Sequence, residues 1–489
     1  MLHLIAPLLF ALAAETPAPA VGPGADDPAW GRLLEADARA MRAAIEDSHP
    51  GPVDDQNPGF RRTVEDGYRL VLKRAATART QGGWWWALRE YEAAFGDGHL
   101  SVATTEEAVS LPSRWPGFLT RFEGEDQVVV VRLDEPGLPA MGAKLVSCDG
   151  RPAAALAADI VGRFRGRWTL AAQRARHGAR LFLDASNPWV KLPERCLFDE
   201  QGAKKTYALS WRSLSDAEVM SRLAGANRSY RAPVERRTLA DGTVWISAGG
   251  FNGDPASEQG KALRALVDAL NADQAGLRSA PRVVLDLRGN GGGSSTWGDE
   301  LAAAVWGKPW LAAKALPASQ VDWRVSTANL ETLKAYDRMF REAPGTDPEL
   351  LAWLERAIAG MGAALAEGRA LWRQPDDPAA APADAAAQPL YRGRVFVLTD
   401  AACASACLDA VDVWKAAGAV QVGRETSADT LYMEIREQPL PSGLAMLRLP
   451  MKVYRGRIRR LNEPHRPRFV FEGDMSDTAA LEAWIRKLP

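Results

Sequence analysis

The chain has 489 residues, of which 47% are hydrophobic and 25% are charged. This is globular composition, and the length predicts two to four domains rather than one core. Sixty Lys and Arg side chains balance 61 Asp and Glu side chains, for a net charge of −1. The balance therefore favours neither nucleic acid nor an anionic membrane surface as a partner.

The first segment, residues 2–14, is apolar and ends in Ala11-Leu12-Ala13-Ala14. A short apolar run that ends in small residues is typical of a cleaved secretory signal, although this one lacks Lys and Arg. It is too short to span a bilayer, and no later run reaches about 20 apolar residues. We therefore expect residues 1–14 to be a signal peptide and the protein to be periplasmic or secreted, without stable membrane insertion. A core strand or an anchor is the less favoured alternative.

The next two regions differ in pattern. Residues 15–28 are rich in Ala, Pro and Gly, which predicts a disordered lead. Over residues 29–114 apolar side chains recur at helical spacing between prolines, which predicts a helical N-terminal domain. Residues 115–215 contain the run Val128-Val129-Val130-Val131 and several Asp-Gly or Pro-Gly turns, which predicts a β-rich module.

Residues 231–489 alternate strands and helices. Strands are predicted to start near Thr243, Arg282, Arg394 and Ala419, and helices to lie near 258–272, 296–306 and 402–416. This alternation predicts parallel strands with covering helices, and hence a multidomain α/β (α+β) protein. Residues 308–390 form a helical insertion that ends in a Pro/Ala/Asp tract at 375–389, a predicted linker or mobile loop.

Four cysteines are present: Cys148, Cys196, Cys403 and Cys407. An even number in an exported protein permits disulfides. Cys148 with Cys196 is the favoured pair because both fall in the β-rich region. Cys403 and Cys407 are four residues apart on a predicted helix, about 6 Å between Cα atoms, which a disulfide can accept. The alternative for each cysteine is a small buried hydrophobic residue.

A serine lies where a strand gives way to a helix. Ser405 follows the apolar run Val395–Leu398 and is expected in the first helical turn, within Thr-Asp-Ala-Ala-Cys-Ala-Ser-Ala-Cys-Leu-Asp (399–409). The first N–H groups of a helix lack partners there and carry partial positive charge. A serine that attacks a carbonyl needs such donors for the oxyanion it creates.

A glycine run, Gly289-Asn290-Gly291-Gly292-Gly293, follows the strand predicted at 282–287. Glycines let backbone amides approach a ligand closely. The run is not a phosphate loop, because no Gly-Lys-Ser/Thr follows it. The sequence has no zinc-like ligand spacing. Together the two motifs predict a hydrolase with a serine nucleophile that uses neither a metal nor a cofactor.

A serine nucleophile needs a base, and the chain has only five histidines. His99 lies in Phe95-Gly96-Asp97-Gly98-His99, where a helix passes through two glycines into a strand, so its ring can be aimed. A lone histidine is more often structural, and the other motifs reverse that expectation here. His49 is expected in a loop, and His177 in a solvated basic helix.

The combination of Asp97-Gly98-His99, the Asp286–Gly293 motif and Cys403–Cys407 resembles the C-terminal processing (tail-specific) serine peptidases. Within them it is most similar to the tricorn-core-like branch, which uses a histidine base. The resemblance covers nearly the whole chain in order and implies a helical N-terminal region, a PDZ-like module at 115–215 and a crotonase-like (ClpP/crotonase) catalytic α/β domain at 231–489. The PDZ-like module would bind a peptide end or strand by β-addition. A rigid spacer or lid is the alternative.

The resemblance also implies residue roles. Ser405 is the nucleophile, His99 the general base, and the backbone amides of Ala406 and a glycine among Gly291, Gly292 and Gly293 form the oxyanion hole. The other branch of the family uses a lysine past the serine, but residues 423–430 contain none, which disfavours a Ser–Lys mechanism. Lys415 lies too far along the serine's own helix to reach it.

The family's histidine is oriented by a late glutamate and by a serine directly before the histidine. Glu463 is the best match for the glutamate, while Gly98 replaces the serine. Glu463 then contacts His99 through water, or Asp97 takes part. The alternative for Glu463 is a surface carboxylate in a basic stretch.

The sequence thus predicts an exported serine endopeptidase that acts on peptides or proteins. Two other functions stay open. The first is a catalytically weak peptide-binding or scaffold protein that retains the peptidase fold. The second is a small-ester hydrolase, although Cys403 and Cys407 stand where the Gly-x-Ser-x-Gly elbow has glycines. Oligomeric state is not determined by these patterns.

Overall fold

The computed structural model describes residues 22–105, 111–228, 230–317, 319–343, 346, 348–375 and 386–489. The α-helices of this part of the chain are α1 (Ala29–Ser48), α2 (Phe60–Ala75), α3 (Gln81–Ala93), α4 (Ala153–Ala157), α5 (Arg163–Arg165), α6 (Ala171–His177), α7 (Asp216–Asn227), α8 (Glu258–Ala272), α9 (Gln274–Ser279), α10 (Thr296–Trp306), α11 (Lys308–Ala313), α12 (Thr327–Glu342), α13 (Pro348–Ala366), α14 (Ala406–Ala417) and α15 (Thr478–Ile485).

The strands are β1 (Ser101–Thr104), β2 (Ser113–Trp115), β3 (Phe118–Glu123), β4 (Asp126–Arg132), β5 (Lys144–Cys148), β6 (Arg151–Pro152), β7 (Arg195–Glu200), β8 (Ala203–Ala208), β9 (Arg212–Leu214), β10 (Val234–Thr238), β11 (Val244–Ala248), β12 (Arg282–Asp286), β13 (Gln320–Arg324), β14 (Leu371–Arg373), β15 (Arg394–Thr399), β16 (Val420–Gly423), β17 (Tyr432–Pro439), β18 (Ala445–Arg455) and β19 (Phe469–Val470).

A mostly parallel sheet carries the serine and glycine motifs. Its strand order is β10-β11-β12-β15-β16-β19, and only the β10–β11 pair is antiparallel. Five of the six residues of β15 are buried, a continuous apolar run that suits a parallel strand covered on both faces. Helices α8, α10 and α14 cover one face, and α15 covers the other. The predicted parallel sheet with covering helices is confirmed.

The β-rich region is an antiparallel sheet of strand order β3-β4-β5-β7-β8, with β6 paired to β5. Its core contains Phe118, Phe182 and Phe198, each fully buried. Cys148 and Cys196 face each other across β5 and β7 and form a disulfide. Cys403 and Cys407 form a second disulfide, so both sulfur pairs considered from the sequence are bonded in the structure.

A second sheet joins the two ends of the chain. Its strands lie in the order β1-β18-β13-β14, and β17 also pairs with β18. The antiparallel register of β1 on β18 sets Ser101 opposite Arg448 and Val102 opposite Leu447. Helices α1, α2 and α3 pack on this sheet through residues such as Leu34, Met41 and Leu449. The predicted N-terminal helical domain therefore has no separate core, because it shares one with residues 432–453.

The insertion consists of α12 and α13 packed on β13 and β14 around Trp323, Leu333 and Trp353. Its two helices agree with the sequence pattern, whereas β13 and β14 were not predicted. The predicted signal peptide at 1–14, residues 15–21 of the predicted lead and residues 376–385 of the Pro/Ala/Asp tract lie outside the described residues. Within the described part of the chain, no helix has the length and apolarity needed to cross a bilayer.

Candidate active site

Two adjacent parallel strands bring the motifs together. Strands β12 and β15 pair in register from Arg282 opposite Arg394 to Asp286 opposite Leu398. The loops that leave their carboxyl ends are therefore neighbours at one edge of the sheet, where ligands of open α/β sheets bind. The first loop carries residues 287–293 and leads to α10, and the second carries residues 400–405 and leads to α14.

Ser405 caps the N-terminus of α14 in an unusual backbone conformation. Its φ is 55° and its ψ is −127°, and a residue with a Cβ held at positive φ costs of order 1–3 kcal/mol. The disulfide between Cys403 and Cys407 spans the residue and restrains the turn. Ser405 is half-buried, and within the described ranges its hydroxyl makes no hydrogen bond with the protein. The turn thus presents a hydroxyl that is not bonded to the protein at a helix N-terminus.

The glycine loop packs directly on the serine. A Cβ on Gly292 would lie 2.7 Å from the Ser405 Cβ and 3.0 Å from the Ala406 nitrogen, and the φ of Gly292 is +99°. Only glycine fits such a position without displacing the neighbouring turn. The N–H of Gly292 donates to Asn290 Oδ1 at 2.9 Å. The N–H groups of Ala406 and Gly291 have no acceptor among the residues that the structure describes. Among the predicted oxyanion donors, the N–H groups of Ala406 and Gly291 are therefore open to a ligand, whereas that of Gly292 is not.

Two polar residues that sequence analysis did not single out hold the loops in place. The buried Asn290 side chain donates to Ala248 O at 2.8 Å, and the backbone carbonyl of Asn290 accepts the Ala404 N–H at 3.2 Å. Asp400 accepts the N–H groups of Gly289 and Ala402 at 3.0–3.2 Å. Burial raises the pKa of Asp400 to about 6, against the lowering effect of these two donors. Asp400 directly follows the buried strand β15, and Asn290 lies in the loop that leaves β12, so their positions could have identified them.

His99 lies between α3 and β1, on the sheet that joins the chain ends. Its backbone N–H donates to Asp97 Oδ1 at 2.9 Å, and its ring Nδ1 lies 3.9 Å from the same oxygen. The Thr430 hydroxyl also donates to Asp97 Oδ1, at 2.9 Å. The His99 Nδ1 atom is buried and has no hydrogen-bond partner in the described part of the chain. The structure therefore places His99 beside Asp97 and shows no hydrogen bond from its ring to Ser405.

A second histidine, His49, also lies beside Asp97. As the sequence predicted, His49 lies outside any helix or strand, directly after α1. It is fully buried there, stacked on Phe60 at 4.6 Å and edge-on to Tyr432. Its Nδ1 accepts the Gly51 N–H at 2.8 Å, and its Nε2 lies 3.6 Å from Asp97 Oδ2. Burial lowers the pKa of His49 despite the nearby Asp97 carboxylate. Although burial alone would raise the pKa of Asp97, the neighbouring His49 and His99 rings lower it, so Asp97 is ionised at neutral pH.

Glu463, which was predicted to orient His99, is exposed and forms no hydrogen bond with the His99 ring. Its side chain is exposed and accepts the Arg460 N–H at 2.9 Å. Its neighbour Asn462 reaches the cluster instead, because Asn462 Nδ2 donates to Gly96 O at 3.0 Å. The structure therefore shows Glu463 as the cap of a turn beside the His99 loop.

A buried pair near His99 was also missed from the sequence. Glu434 Oε2 lies 3.3 Å from Lys452 Nζ, while Glu434 Oε1 is buried without a partner in the described residues. Burial raises the pKa of Glu434, and the charges of Lys452 and His99 oppose that shift. The φ of Glu434 is 60°, in the middle of β17. No sequence pattern indicated Glu434, because its position beside Lys452 results from the pairing of β17 with β18.

Neither nearby lysine is available as a base. Burial opposes protonation of Lys452, but Tyr454 and Glu434 raise its pKa overall, which keeps it charged. Lys415 lies at the other end of α14, with its Nζ 3.5 Å from His465 Nδ1.

In the described ranges, no group of three or more His, Cys, Asp or Glu side chains could hold a metal ion. The site contains a serine hydroxyl, an imidazole beside a carboxylate, and backbone N–H groups without acceptors. These are the groups that acyl transfer requires.

Comparisons with known proteins agree with this chemistry. The model of peptidase family S41 matches residues 250–460, which include the glycine loop and Ser405. A search of the curated proteins finds no match. Among solved structures, mature CPAF is 13% identical, with 90% of this chain and 93% of that chain covered and a TM-score of 0.57. The complex of mature CPAF with lactacystin is 12% identical, with 94% and 98% covered and the same TM-score. At this identity the likeness concerns the fold. This chain is therefore a serine peptidase, and its residues 250–460 are similar to peptidase family S41.

Proposed function

We propose that this protein is an exported serine endopeptidase that cleaves peptide bonds through an acyl-enzyme, with Ser405 as nucleophile and His99 as general base. One observation carries the proposal. The backbone of Gly292 packs on Ser405 so closely that no side chain fits, beside an Ala406 N–H that has no protein acceptor among the described residues. That arrangement leaves a space for a carbonyl oxygen next to the hydroxyl.

The reaction follows from these positions. His99 removes the Ser405 proton as the Ser405 oxygen attacks the peptide carbonyl, and the N–H groups of Ala406 and Gly291 stabilise the oxyanion. Each such donor is worth about 3 kcal/mol of the activation barrier. His99 then protonates the leaving amine, and a water activated by the same ring hydrolyses the ester. Ser405 and His99 must approach each other for the first step, since catalytic hydrogen bonds are often long before substrate binds.

Export of the chain is part of the proposal. Both disulfides of the described residues are compatible with an oxidising compartment such as the periplasm or the exterior of the cell. The proposed histidine base supports assignment of the chain to the tricorn-core-like branch, which is also part of the proposal. The antiparallel module at 115–215 is proposed to be PDZ-like and to bind substrate peptide by strand addition.

The base is tested by labelling with a fluorophosphonate, which reacts only with an activated serine. The wild-type chain is expected to be labelled, and His99→Ala to be labelled at least 10²-fold more slowly, because general-base catalysis contributes 10²–10⁴-fold. The measurement is the labelling rate on a gel. His177→Ala, which changes a histidine outside this cluster, is the matched control.

The same experiment separates the second candidate function. A peptide-binding scaffold that retains the fold is favoured by one observation, the lack of a Ser405–His99 hydrogen bond within the described structure. An unlabelled wild-type chain that still binds peptides would support the scaffold and reject the peptidase. Equal labelling of wild type and His99→Ala would reject His99 as the base.

We further propose that Asp97, rather than Glu463, orients His99. Asp97 is buried, ionised and 3.9 Å from the ring Nδ1, whereas Glu463 is exposed and bonded to Arg460. Asp97→Asn is expected to lower kcat at least 10²-fold with little change in KM, because the imidazolium loses its counter-charge. Glu463→Gln is expected to change kcat less than about threefold, since it removes only a surface charge. A larger loss of kcat in Glu463→Gln than in Asp97→Asn would show that Glu463, and not Asp97, orients His99.

A further inference from the structure

An aspartate one helical turn after Ser405 contacts several parts of the candidate active site. Asp409 lies in the first turn of α14, and its backbone N–H donates to Ser405 O at 3.4 Å. Its side chain is half-buried, with 30% of its surface exposed. Whatever holds the Asp409 side chain therefore also holds the turn that presents the Ser405 hydroxyl.

The Asp409 carboxylate also binds the residue that follows the glycine loop. The hydroxyl of Ser295, the N-cap residue of α10, donates to Asp409 Oδ2 at 2.9 Å. Ser295 lies two residues after Gly293, and its hydroxyl caps no N–H of α10 in the described structure. An N-cap serine ordinarily bonds to its own helix, so here the hydroxyl is used for a contact between loops. The bond joins the glycine loop to the helix that begins after Ser405.

Two arginines of a later segment bind the same carboxylate. Arg457 and Arg459 both donate to Asp409 Oδ1, and the Arg459 bond measures 3.0 Å. Arg459 is buried, and only 13% of the Arg457 side chain is exposed. Burial alone would lower the pKa of Arg457, but the charges of Asp409 and neighbouring groups raise it, so the guanidinium stays charged. Hydrogen bonds between ionised partners are about twice as strong as neutral ones, so this contact holds both arginines firmly.

The segment that carries these arginines also reaches the His99 loop. It consists of residues 456–466, which follow β18, and we call it the bridging loop. Asn462 of this loop donates through Nδ2 to Gly96 O, three residues before His99, at 3.0 Å. Strand β18 itself pairs with β1, which begins two residues after His99. The bridging loop therefore connects the strand and the loop that hold His99 to the helix that begins after Ser405.

We propose that Asp409, held by Arg457 and Arg459, is a positioning residue that sets Ser405 against His99. The inference rests on the proposed peptidase function and adds a residue that acts through the protein and not on the substrate. The strand before Ser405 and the strand after His99 belong to different sheets, and no hydrogen bond joins the two side chains in the described structure. Their separation therefore depends on contacts between the sheets. A misplacement of about 1 Å at a catalytic group can lower a rate about 10²-fold.

The first test compares Asp409→Asn with the wild-type full chain on a fluorogenic peptide. The amide keeps the shape of the side chain but loses its charge, which weakens the bonds from both arginines. We expect kcat to fall about 10- to 100-fold and KM to change less than about threefold, because Asp409 holds protein groups and not the substrate. Asp337→Asn removes the charge that pairs with Arg341 on α12, and this matched control should keep both constants. An unchanged kcat in Asp409→Asn overturns the proposal.

Exchange of Arg457 shows whether the ionic contact itself matters. Arg457→Lys keeps a cation that can reach Asp409, and its kcat should stay within about threefold of the wild type, whereas Arg457→Gln should lose about tenfold. The double variant Asp409→Asn/Arg457→Gln should lose no more than Asp409→Asn alone, because the two residues act through one contact. Equal losses in the Lys and Gln variants, or losses that multiply in the double variant, would contradict the proposed role.

A second comparison links Asp409 to the base. The rate of fluorophosphonate labelling is measured for the wild type, Asp409→Asn, His99→Ala and the double variant. If Asp409 aligns Ser405 with His99, its substitution has no further effect once the base is absent, so the double variant should be labelled at about the rate of His99→Ala alone. A merely structural contact would slow labelling in both backgrounds, and that result overturns the proposal. An unlabelled wild-type chain would instead reject the peptidase function itself, so the two failures are distinguished.

Discussion

Ser405→Ala is expected to lower the rate of peptide hydrolysis about 10⁴- to 10⁶-fold, the largest effect of any single substitution in this chain. Without the hydroxyl no acyl-enzyme forms, and only the amides of the oxyanion hole and substrate binding remain. KM should change little, because Ser405 makes no bond that substrate binding would have to replace. The measurement is the initial rate on a fluorogenic peptide, with fluorophosphonate labelling alongside.

The control for this substitution is Ser279→Ala, which removes an exposed hydroxyl bonded to Gly276 on the far helix α9. It should keep full activity. A parallel assay with a small ester distinguishes an esterase from a peptidase, since both reactions need Ser405 and only their relative rates differ. Hydrolysis of peptides that survives in Ser405→Ala would disprove the nucleophile.

The second large effect concerns stability. Asp286 and Arg288 form a fully buried ion pair directly before the glycine loop, with two parallel hydrogen bonds of 2.9 and 2.6 Å. The same guanidinium donates to Met475 O and to Thr478 Oγ1, which ties the start of α15 to the end of β12. Arg288→Met is expected to lower the free energy of unfolding by about 3–5 kcal/mol, because it leaves the Asp286 carboxylate buried without a counter-charge.

Urea denaturation of the purified chain measures this change, and Arg264→Met provides the matched control. Arg264 forms a pair with Glu300 at the surface, between α8 and α10. Loss of an exposed pair should cost at most about 1 kcal/mol. The double variant Asp286→Leu/Arg288→Met should recover part of the loss, since two apolar groups can replace a buried pair. A cost below 1 kcal/mol for Arg288→Met would contradict the expected role of the pair.

The central sheet could be predicted because each of its strands carries its own signal. The runs that form β12 and β15 are continuously apolar and end in Asp or in Thr-Asp, so their position and the loops that follow them can be recognised locally. The helices α8, α10 and α14 agree with their predicted limits within a few residues. The loops that meet at Ser405 were predictable for the same reason, because parallel strands have their carboxyl ends on one side.

The second sheet was not predicted, although β18 carries a signal. Ala445, Leu447, Leu449, Met451 and Val453 alternate with more exposed residues and are all fully buried. Pro450 interrupts that alternation and argues against an inner strand. The pairing of β1 with β18 joins residues more than 300 positions apart, which no local pattern contains. The environment of His99, with Asp97, His49 and Glu434, depends on this pairing and so could not be predicted.

The pairing of β1 with β18 also has a consequence for biosynthesis. A nascent chain that has left the ribosome only as far as Ser405 already contains the proposed nucleophile and the proposed base, His99, but not the strand that supports the His99 loop. Because the first helices share their core with residues 432–453, they stay without a packing surface until translation has passed that point. The enzyme is therefore expected to become active only after the late strands have emerged and paired.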